Sequence, residues 1–287
     1  MIRIGYFGYR QWAFTILDRL SKQLDPAKST IVTIGTVKYD QEIIDYTKYR
    51  NLFFLEPTKK QDFIRFVQDA RLTVALFYGW SWIVPKALTD HLDCLCLHPS
   101  LLPRYRGGTP FQHQILNNEQ EGGLTIFRMN DILDGGDILA QKSFSLAGTL
   151  KDILDRVVEE GVSATLDIIN AYEQGTVKYV PQTNLDEFPA YPRRKPEQSE
   201  VKFEQLSTLT CNDFYNFVRA LDDPFPNCFI TLSDHTILLL QEVRKIDNDL
   251  PGQVFFDGTP DTLSRTGSTY IKLKDGIIDV IRCRIRS

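Results

Sequence analysis

The sequence contains few cysteines and little that would hold a metal ion. Its five cysteines are an odd number at irregular spacing, and no Cys-x-x-Cys pair occurs among Cys94, Cys96, Cys211, Cys228 and Cys283. This pattern does not provide a disulfide framework and gives little support to a zinc site. It suits reduced thiols, so we expect a cytoplasmic protein with no bound metal.

Long apolar runs and an excess of positive charge are also missing. The longest apolar run, residues 76–85, is far too short to span a membrane, and Gly8 interrupts the apolar start before a secretory signal is complete. The net charge of −4 argues against a nucleic-acid binder that depends on a global positive field. Hydrophobic residues make up 43% of the 287 residues, which suits one large globular domain or two unequal ones.

Apolar runs of strand length alternate with helical patterns through much of the chain. The predicted strands are residues 2–7, 30–36, 72–78, 94–97 and 123–128. Apolar residues at helical spacing predict helices after the first run, at 62–70 and at 150–172. Strands alternating with helices indicate a Rossmann-like α/β fold, with a mostly parallel sheet covered by helices on both faces.

The pattern changes after the helix at 150–172. Residues 182–203 contain three prolines among charged residues and keep no apolar period, which predicts a linker or a wrapped loop. We therefore expect a larger domain at 1–181, this linker, and a smaller β-rich C-terminal domain at 204–287. In the last part, a helix is predicted at 211–221, and short strands at 230–232, 237–243, 253–256, 269–273 and 277–281.

A turn containing glycine follows the first predicted strand. Gly5 and Gly8 precede the first helix, but the GxGxxG pattern of a dinucleotide site is absent, which disfavours NAD binding. The favoured interpretation is that the turn places Tyr9 and Arg10 at the carboxyl ends of the strands, where sheets of this kind bind ligands.

The strand at 94–97 leads into the segment that holds the most chemistry. Residues 96–108 read Cys-Leu-His-Pro-Ser-Leu-Leu-Pro-Arg-Tyr-Arg-Gly-Gly. Cys96 and His98 share one face of the strand, because residues two apart on a strand point the same way. Arg104 and Arg106 carry guanidinium groups that suit phosphate or carboxylate.

A second loop, which follows the strand at 123–128, reads Leu-Asp-Gly-Gly-Asp-Ile over residues 133–138. It places Asp134 and Asp137 beside paired glycines. A histidine and an aspartate in one cleft form a proton-handling pair in which the carboxylate orients the imidazole. Taken alone, each feature has a simpler interpretation: a structural histidine, a tight turn and a cysteine of the core.

Together these runs resemble the signature of the folate-dependent formyltransferases. That family includes methionyl-tRNA formyltransferase and the N-formyltransferases of nucleotide-linked amino sugars, and the chain looks most like the latter. Tyr-Pro-Arg-Arg-Lys-Pro at 191–196 and Phe-Val-Arg-Ala-Leu-Asp-Asp-Pro-Phe-Pro at 217–226 resemble the family's linker and the start of its C-terminal domain. The resemblance extends from the first strand to residue 229, and it implies 10-formyltetrahydrofolate as the formyl donor.

The resemblance also implies roles for individual residues. His98 matches the family's catalytic histidine, and Asp134 matches its partner aspartate. The family has an asparagine two residues before the histidine, whereas this chain has Cys96. Three interpretations of Cys96 stay open: a bystander whose task falls to protonated His98 or a backbone N–H, the mark of a paralogue with reduced or altered activity, or a nucleophile that accepts the formyl group.

The same resemblance implies where the donor binds. The pterin ring lies between the segment after the strand at 72–78 and the loop that carries Asp134. The cofactor-binding residues implied are Trp80, Ile83, Val84, Asn130, Leu133 and Asp137. The aromatic run at 77–82 suits a flat ring, but packing in the core explains it equally well.

The formyl acceptor is the least determined part of the interpretation. A nucleotide-linked amino sugar needs a pyrophosphate site, for which the candidates are Tyr9, Arg10, Tyr105 and Arg106. The acidic net charge favours such a sugar over tRNA, so we expect neither a nucleic acid nor a membrane as partner. Methionyl-tRNA formylation and a non-catalytic folate-binding protein are the alternatives, and a homodimer is compatible with the family.

Overall fold

The structure is a computed structural model that describes residues 1–37, 44–56, 60–80, 82–246, 255–259 and 269–286. Residues 253–254 of the predicted strand at 253–256 lie outside the described residues. The chain divides into two compact units. The first comprises residues 1–110, 121–147 and 151–192, and the second comprises residues 111–120, 148–150 and 193–287. The predicted linker is thus shared between the units, and the domain boundaries at 181 and 203 remain a prediction.

The first unit is built on a seven-stranded sheet. Its strands are β1 (Ile2–Gly8), β2 (Ser29–Thr36), β3 (Leu52–Phe54), β4 (Val74–Tyr78), β5 (Asp93–His98), β6 (Glu121–Arg128) and β7 (Ile138–Ser145). They lie in the order β3-β2-β1-β4-β5-β6-β7. The first five in this order are parallel, while β6 and β7 run antiparallel to their neighbours. The prediction of a mostly parallel sheet is confirmed.

Helices cover both faces of this sheet. They are α1 (Gln11–Gln23), α2 (Lys60–Asp69), α3 (Lys86–Thr89) and α5 (Leu150–Gln174). On one face, the buried hydroxyl of Tyr6 donates to the Ala13 carbonyl of α1, and that of Tyr78 pairs with Thr165 of α5. Adjacent residues on a strand point to opposite faces. Their sequence neighbours Phe7 and Phe77 therefore pack on the other face. These two rings join a buried cluster with Phe63, Val67, Ala75, Leu88 and Cys94 from α2, α3 and the strands.

The second unit is the predicted smaller β-rich domain. Its four-stranded antiparallel sheet has the order β10-β11-β9-β8, with β8 at Cys228–Thr231, β9 at Ile237–Ile246, β10 at Thr269–Lys272 and β11 at Ile277–Arg286. The helix α6 (Cys211–Ala220) packs on it, and the short helix α4 (Pro110–Leu116) also belongs almost wholly to this unit. Its core includes Phe214, Val218, Leu238, Leu240 and Ile278, all nearly inaccessible to solvent.

The connection between β6 and β7 takes an unexpected course. The N–H of Met129 donates to the Cys94 carbonyl at 2.8 Å, so β6 ends beside the start of β5 and not beside His98 at its end. The loop that carries Asp134 must therefore fold back over the sheet to reach His98. Cys94, Cys96 and His98 alternate along β5 and share the face that bears Phe77, so the candidate residues Cys96 and His98 lie over one face of the sheet.

Candidate active site

His98 is the last residue of β5, and only 6% of its surface is exposed. Its Nε2 lies 2.9 Å from the backbone carbonyl oxygen of Tyr105. A carbonyl only accepts hydrogen bonds, so Nε2 carries a hydrogen and donates it. In the neutral ring the lone pair is then on Nδ1. The loop after β5 thus fixes both the orientation of the ring and its tautomer.

Asp134 faces the other nitrogen of this ring. Its Oδ2 lies 3.5 Å from Nδ1 of His98 and accepts a hydrogen bond of 2.8 Å from the N–H of Gly107. Only 16% of the Asp134 side chain is exposed. Its backbone has a φ of +47°, a left-handed conformation that non-glycine residues seldom adopt. The structure therefore brings together His98 and Asp134, the two residues on which the resemblance relies most.

Two close contacts hold the loop of Asp134 in this folded-back course. A Cβ added to Gly136 would lie 1.7 Å from the Arg128 carbonyl oxygen, so only glycine fits at this point. The amide Nε2 of Gln182 donates to the carbonyl of Asp134 at 3.0 Å and to that of Gly136 at 2.7 Å. A residue far along the chain thus fixes the loop.

A buried polar network supports the loop after His98. The hydroxyl of Thr125 donates to the Ser100 carbonyl at 2.7 Å and accepts from the N–H of Leu102 at 3.0 Å. Gln141 donates from one amide nitrogen both to that hydroxyl and to the Leu102 carbonyl. The network ties the loop to β6 and β7, directly beside His98, which pairs with Thr125 in the register of the two strands.

Cys96 is half-buried on the same face as His98. Burial raises the pKa of its thiol well above the usual value, and the carboxylate of Asp134 raises it further. The thiol is therefore protonated at neutral pH, when it is a weak hydrogen-bond donor and a poor nucleophile.

The residues expected to bind the donor lie on two loops of the first unit. Trp80 packs against the rings of Phe7, Phe63, Phe77 and Trp82, with centroids 5.0 to 6.2 Å apart. Its buried Nε1 finds no hydrogen-bond acceptor among the described residues. The aromatic run therefore serves largely to pack the core, in line with the simpler interpretation. The Nε1–H of Trp80 is a hydrogen-bond donor that this packing does not use.

The rest of this set is more exposed or more polar. Val84 is partly buried against the cluster around Phe77, whereas Ile83 is 93% exposed and Leu133 is 60% exposed. Asn130 accepts a hydrogen bond from the N–H of Ile132. Asn130 and Asp137 also line a cavity of about 290 Å³, together with Lys86, Thr89, Asp90, Arg128, Met129 and Asp131.

The expected substrate-binding residues form two pairs. Tyr9 and Arg10 follow β1, and the Arg10 guanidinium carbon lies 4.9 Å from the centre of the Tyr9 ring. Tyr105 stacks on Tyr191 with ring centroids 5.1 Å apart. The guanidinium of Arg106 donates to the carbonyls of Leu185 and Phe188, at 2.9 and 2.8 Å. The guanidinium of Arg106 is thus already bound to backbone carbonyls. Its role in binding phosphate remains a prediction, and these hydrogen bonds count against it.

Among residues not predicted for the site, Gln182, Thr125 and Gln141 have the most direct contacts with it. Each is a single polar residue in a loop or strand, and no motif distinguishes it in one sequence. Among the residues that the structure describes, no group of three or more His, Cys, Asp or Glu side chains is arranged to hold a metal ion. No described helix has the length and apolar character needed to cross a membrane.

Comparison with known proteins identifies the family. Residues 28–169, which include His98 and Asp134, match the model of the formyl transferase family. This stretch of the chain is a formyl transferase domain. The chain is 28% identical over 232 residues to methionyl-tRNA formyltransferase of Desulfotalea psychrophila, across 77% of this chain and 69% of that protein. It is 30% identical over 180 residues to the Streptococcus agalactiae enzyme of the same name, across 62% of this chain and 56% of that protein.

Several solved structures share the fold. Methionyl-tRNA formyltransferase from Clostridium thermocellum has a TM-score of 0.66 at 22% identity, covering 87% of this chain and 96% of that one. HypX from Aquifex aeolicus in complex with tetrahydrofolic acid has a TM-score of 0.71 at 19% identity, covering 100% of this chain and 44% of that one. A sugar N-formyltransferase from Shewanella has a TM-score of 0.67 at 17% identity, covering 84% and 97%.

Proposed function

We propose that this chain transfers the formyl group of 10-formyltetrahydrofolate to the primary amine of a nucleotide-linked amino sugar. The observation that carries the proposal is the pairing of His98 Nδ1 with the Asp134 carboxylate in a formyl transferase domain. A base at this position is what an attacking amine requires, because the amine must lose a proton as it forms the amide.

His98 is the proton acceptor in this proposal. Its Nε2 hydrogen is engaged by the Tyr105 carbonyl, so the proton of the amine goes to Nδ1. The imidazolium that results lies beside Asp134, whose negative charge stabilises it. The separation of 3.5 Å is longer than a strong hydrogen bond, and such contacts often shorten when the substrate is bound.

The donor supplies an electrophilic formyl carbon when it is bound, and the loops after β4 and β6 offer it a fitting surface. Ile83, Ile132 and Leu133 expose apolar side chains there, which is the surface that a flat ring requires. The Nε1–H of Trp80, which meets no acceptor among the described residues, lies in the aromatic cluster next to the first of these loops. We assign ring binding to these loops, with Val84, Asn130 and Asp137 at their borders.

Cys96 occupies the place of the family's oxyanion-stabilising amide. Its protonated thiol is a weak donor, so we propose that the charge on the formyl oxygen is balanced mainly by His98 once it is protonated. A nucleophilic role is disfavoured, because the thiolate that such a role needs is suppressed by burial.

The sugar is favoured as acceptor by the charge of the chain. The net charge of −4 does not favour a polyanion such as tRNA. The Shewanella sugar N-formyltransferase and the Clostridium thermocellum methionyl-tRNA formyltransferase share the fold over 97% and 96% of their own chains, so the fold does not distinguish the two acceptors. Within the first unit, Arg10 and Tyr9 at the end of β1 are our candidates for the pyrophosphate, with Tyr105 and Arg106 as weaker ones.

Methionyl-tRNA formylation is a second candidate, which the curated relatives of the chain favour. A folate-binding protein without activity is a third, which the loss of the asparagine at Cys96 favours. A panel assay separates the three: the protein is mixed with 10-formyltetrahydrofolate and with deoxythymidine-, uridine- or guanosine-linked amino sugars, or with charged initiator tRNA, and tetrahydrofolate release is followed. We expect release with one sugar class; release with tRNA alone would reject the sugar, and binding of the donor without release would favour the third candidate.

A further inference from the structure

A segment that the sequence marks as part of a linker crosses both loops of the candidate site. We call residues 182–191 the strap; it belongs to the first unit, together with His98 and Asp134. At its start, one amide nitrogen of Gln182 donates to the carbonyls of Asp134 and Gly136. Asp134 adopts a left-handed backbone conformation that is costly for a residue with a side chain. These two hydrogen bonds therefore stabilise the strained turn that aims its carboxylate.

The other end of the strap is joined to the loop after His98. The N–H of Tyr191 donates to the Arg106 carbonyl at 2.7 Å, and its own carbonyl accepts from the N–H of Gly108 at 2.8 Å. Between the two ends, the Arg106 guanidinium donates to the Leu185 and Phe188 carbonyls. At Gly107, which has a φ of +97°, an added Cβ would lie 2.2 Å from the Tyr191 carbonyl oxygen. The strap therefore packs directly on the backbone at this position.

The atoms that the strap restrains are those that orient the proton-handling pair. The carbonyl of Tyr105 holds Nε2 of His98, and the ring of the same residue stacks on Tyr191. The N–H of Gly107 holds Oδ2 of Asp134. The strap thus contacts the groups that hold His98 and Asp134 in place. It reaches Tyr105 and Gly107 on one loop, and its residue Gln182 holds the backbone of the other loop.

We propose that two residues of the strap, Gln182 and Tyr191, are positioning residues for the His98–Asp134 pair. They set the distance between His98 Nδ1 and Asp134 Oδ2 by clamping the two loops to one another. This inference rests on the proposed role of the pair in formyl transfer. A displacement of a catalytic group by about 1 Å can lower a rate by about 100-fold, so a clamp of this kind has a large effect on kcat.

The test compares Gln182→Leu, which removes both donated hydrogen bonds, with Thr183→Val as the matched control on an exposed neighbour in the strap. Two quantities are measured: kcat and KM for donor and amine, and the ¹⁵N signals of the His98 ring in histidine-labelled full-length protein. The chain has only four histidines, and loss of a signal in His98→Gln assigns the resonance. The ring signals report orientation and tautomer without any need for turnover.

For Gln182→Leu we expect kcat to fall by about 100-fold at unchanged KM, with shifted His98 ring signals, and for Thr183→Val we expect wild-type values. Tyr191→Leu removes the stacking on Tyr105 but keeps the backbone hydrogen bonds, and it should give a smaller change of the same kind. If Gln182→Leu unfolds at the assay temperature, Tyr191→Leu provides the test in its place. Wild-type kcat together with wild-type ring signals would overturn the proposal, and so would a change in KM alone. Shifted ring signals in a protein that formylates no amine would support the clamp and reject formyl transfer.

Discussion

Single hydrogen bonds decide which nitrogen of His98 is free to accept a proton in the proposed reaction. The Tyr105 carbonyl accepts from Nε2, so the basic nitrogen is the one that faces Asp134. The N–H of Gly107 holds the same carboxylate oxygen that faces the ring. Two backbone groups of one loop therefore set the tautomer and the position of its partner. The sequence identifies the side chains, but backbone contacts of this kind depend on loop conformation, which no residue pattern encodes.

Cys96 gives a pH-dependent prediction at this scale. Its raised pKa makes the thiolate scarce at neutral pH, and the thiolate fraction grows as the pH rises through the pKa. We expect iodoacetamide to label Cys96 more slowly than free cysteine at neutral pH, with a rate that still rises at pH values where labelling of free cysteine has already levelled off. Mass spectrometry measures labelling at each cysteine, and the exposed Cys283 serves as the accessible reference. Faster labelling of Cys96 than of free cysteine at neutral pH would show that a reactive thiolate is present.

Cys96→Asn tests what the thiol replaces. A carboxamide is a stronger donor than a thiol, and one donor to an oxyanion is worth about 100-fold or more in kcat. We therefore expect Cys96→Asn to raise kcat with little change in KM, whereas Cys96→Ser has a small effect. Steady-state kinetics of tetrahydrofolate release measure both. Complete loss of turnover in both variants, with a formylated Cys96 trapped in the wild type, would instead assign the thiol a covalent role.

At the scale of elements, α5 is fastened to the sheet by a buried polar contact. The hydroxyls of Tyr78 and Thr165 lie 2.8 Å apart, and Thr165 also donates to the Gly161 carbonyl. Both side chains are fully buried. Burial raises the pKa of the Tyr78 hydroxyl far beyond its usual value, and the hydrogen bond with Thr165 offsets only part of this rise.

Removing one hydroxyl of this pair leaves the other buried without its partner. We expect Thr165→Val to lower the free energy of unfolding by about 1–3 kcal/mol, because the Tyr78 hydroxyl is then unsatisfied. Adding Tyr78→Phe should cost less in this background than in the wild type, since the orphaned group is then removed. Urea denaturation of the four proteins measures the cycle. Strictly additive effects would mean that the two hydroxyls do not interact.

The elements differ in how well the sequence predicts them. The central strands β1 and β4 are buried along most of their length, and β4 throughout, so each reads as a continuous apolar run. The edge strand β7 alternates half-buried and exposed residues, and β3 has only three residues, so neither has such a run. The sequence pattern likewise predicts no helix at the position of the short α4. Propensity and periodicity therefore predict the central strands of the sheet but not its edge strands.

For the whole molecule, composition and motifs predict the fold class and the family, and both are confirmed. The proximity of His98 and Asp134 does not follow from composition or strand order. The connection after β6 leaves the sheet beside the start of β5, and only its folded-back course brings Asp134 to His98. Resemblance pairs these residues, whereas strand order alone would have separated them. The strap and its contacts depend on tertiary packing of residues 182–191 and have no signal in a single sequence.

The central claim is that this chain moves a formyl group onto the amine of a nucleotide-linked sugar with His98 as the proton acceptor. The most direct test uses donor labelled with ¹³C in its formyl carbon and follows that carbon by NMR and mass spectrometry. We predict that the label appears as a formamide on the sugar. We further predict that His98→Gln and Asp134→Asn block this transfer while tetrahydrofolate still binds. Label that stays on the folate with every sugar, or that moves only to methionyl-tRNA, would contradict the claim.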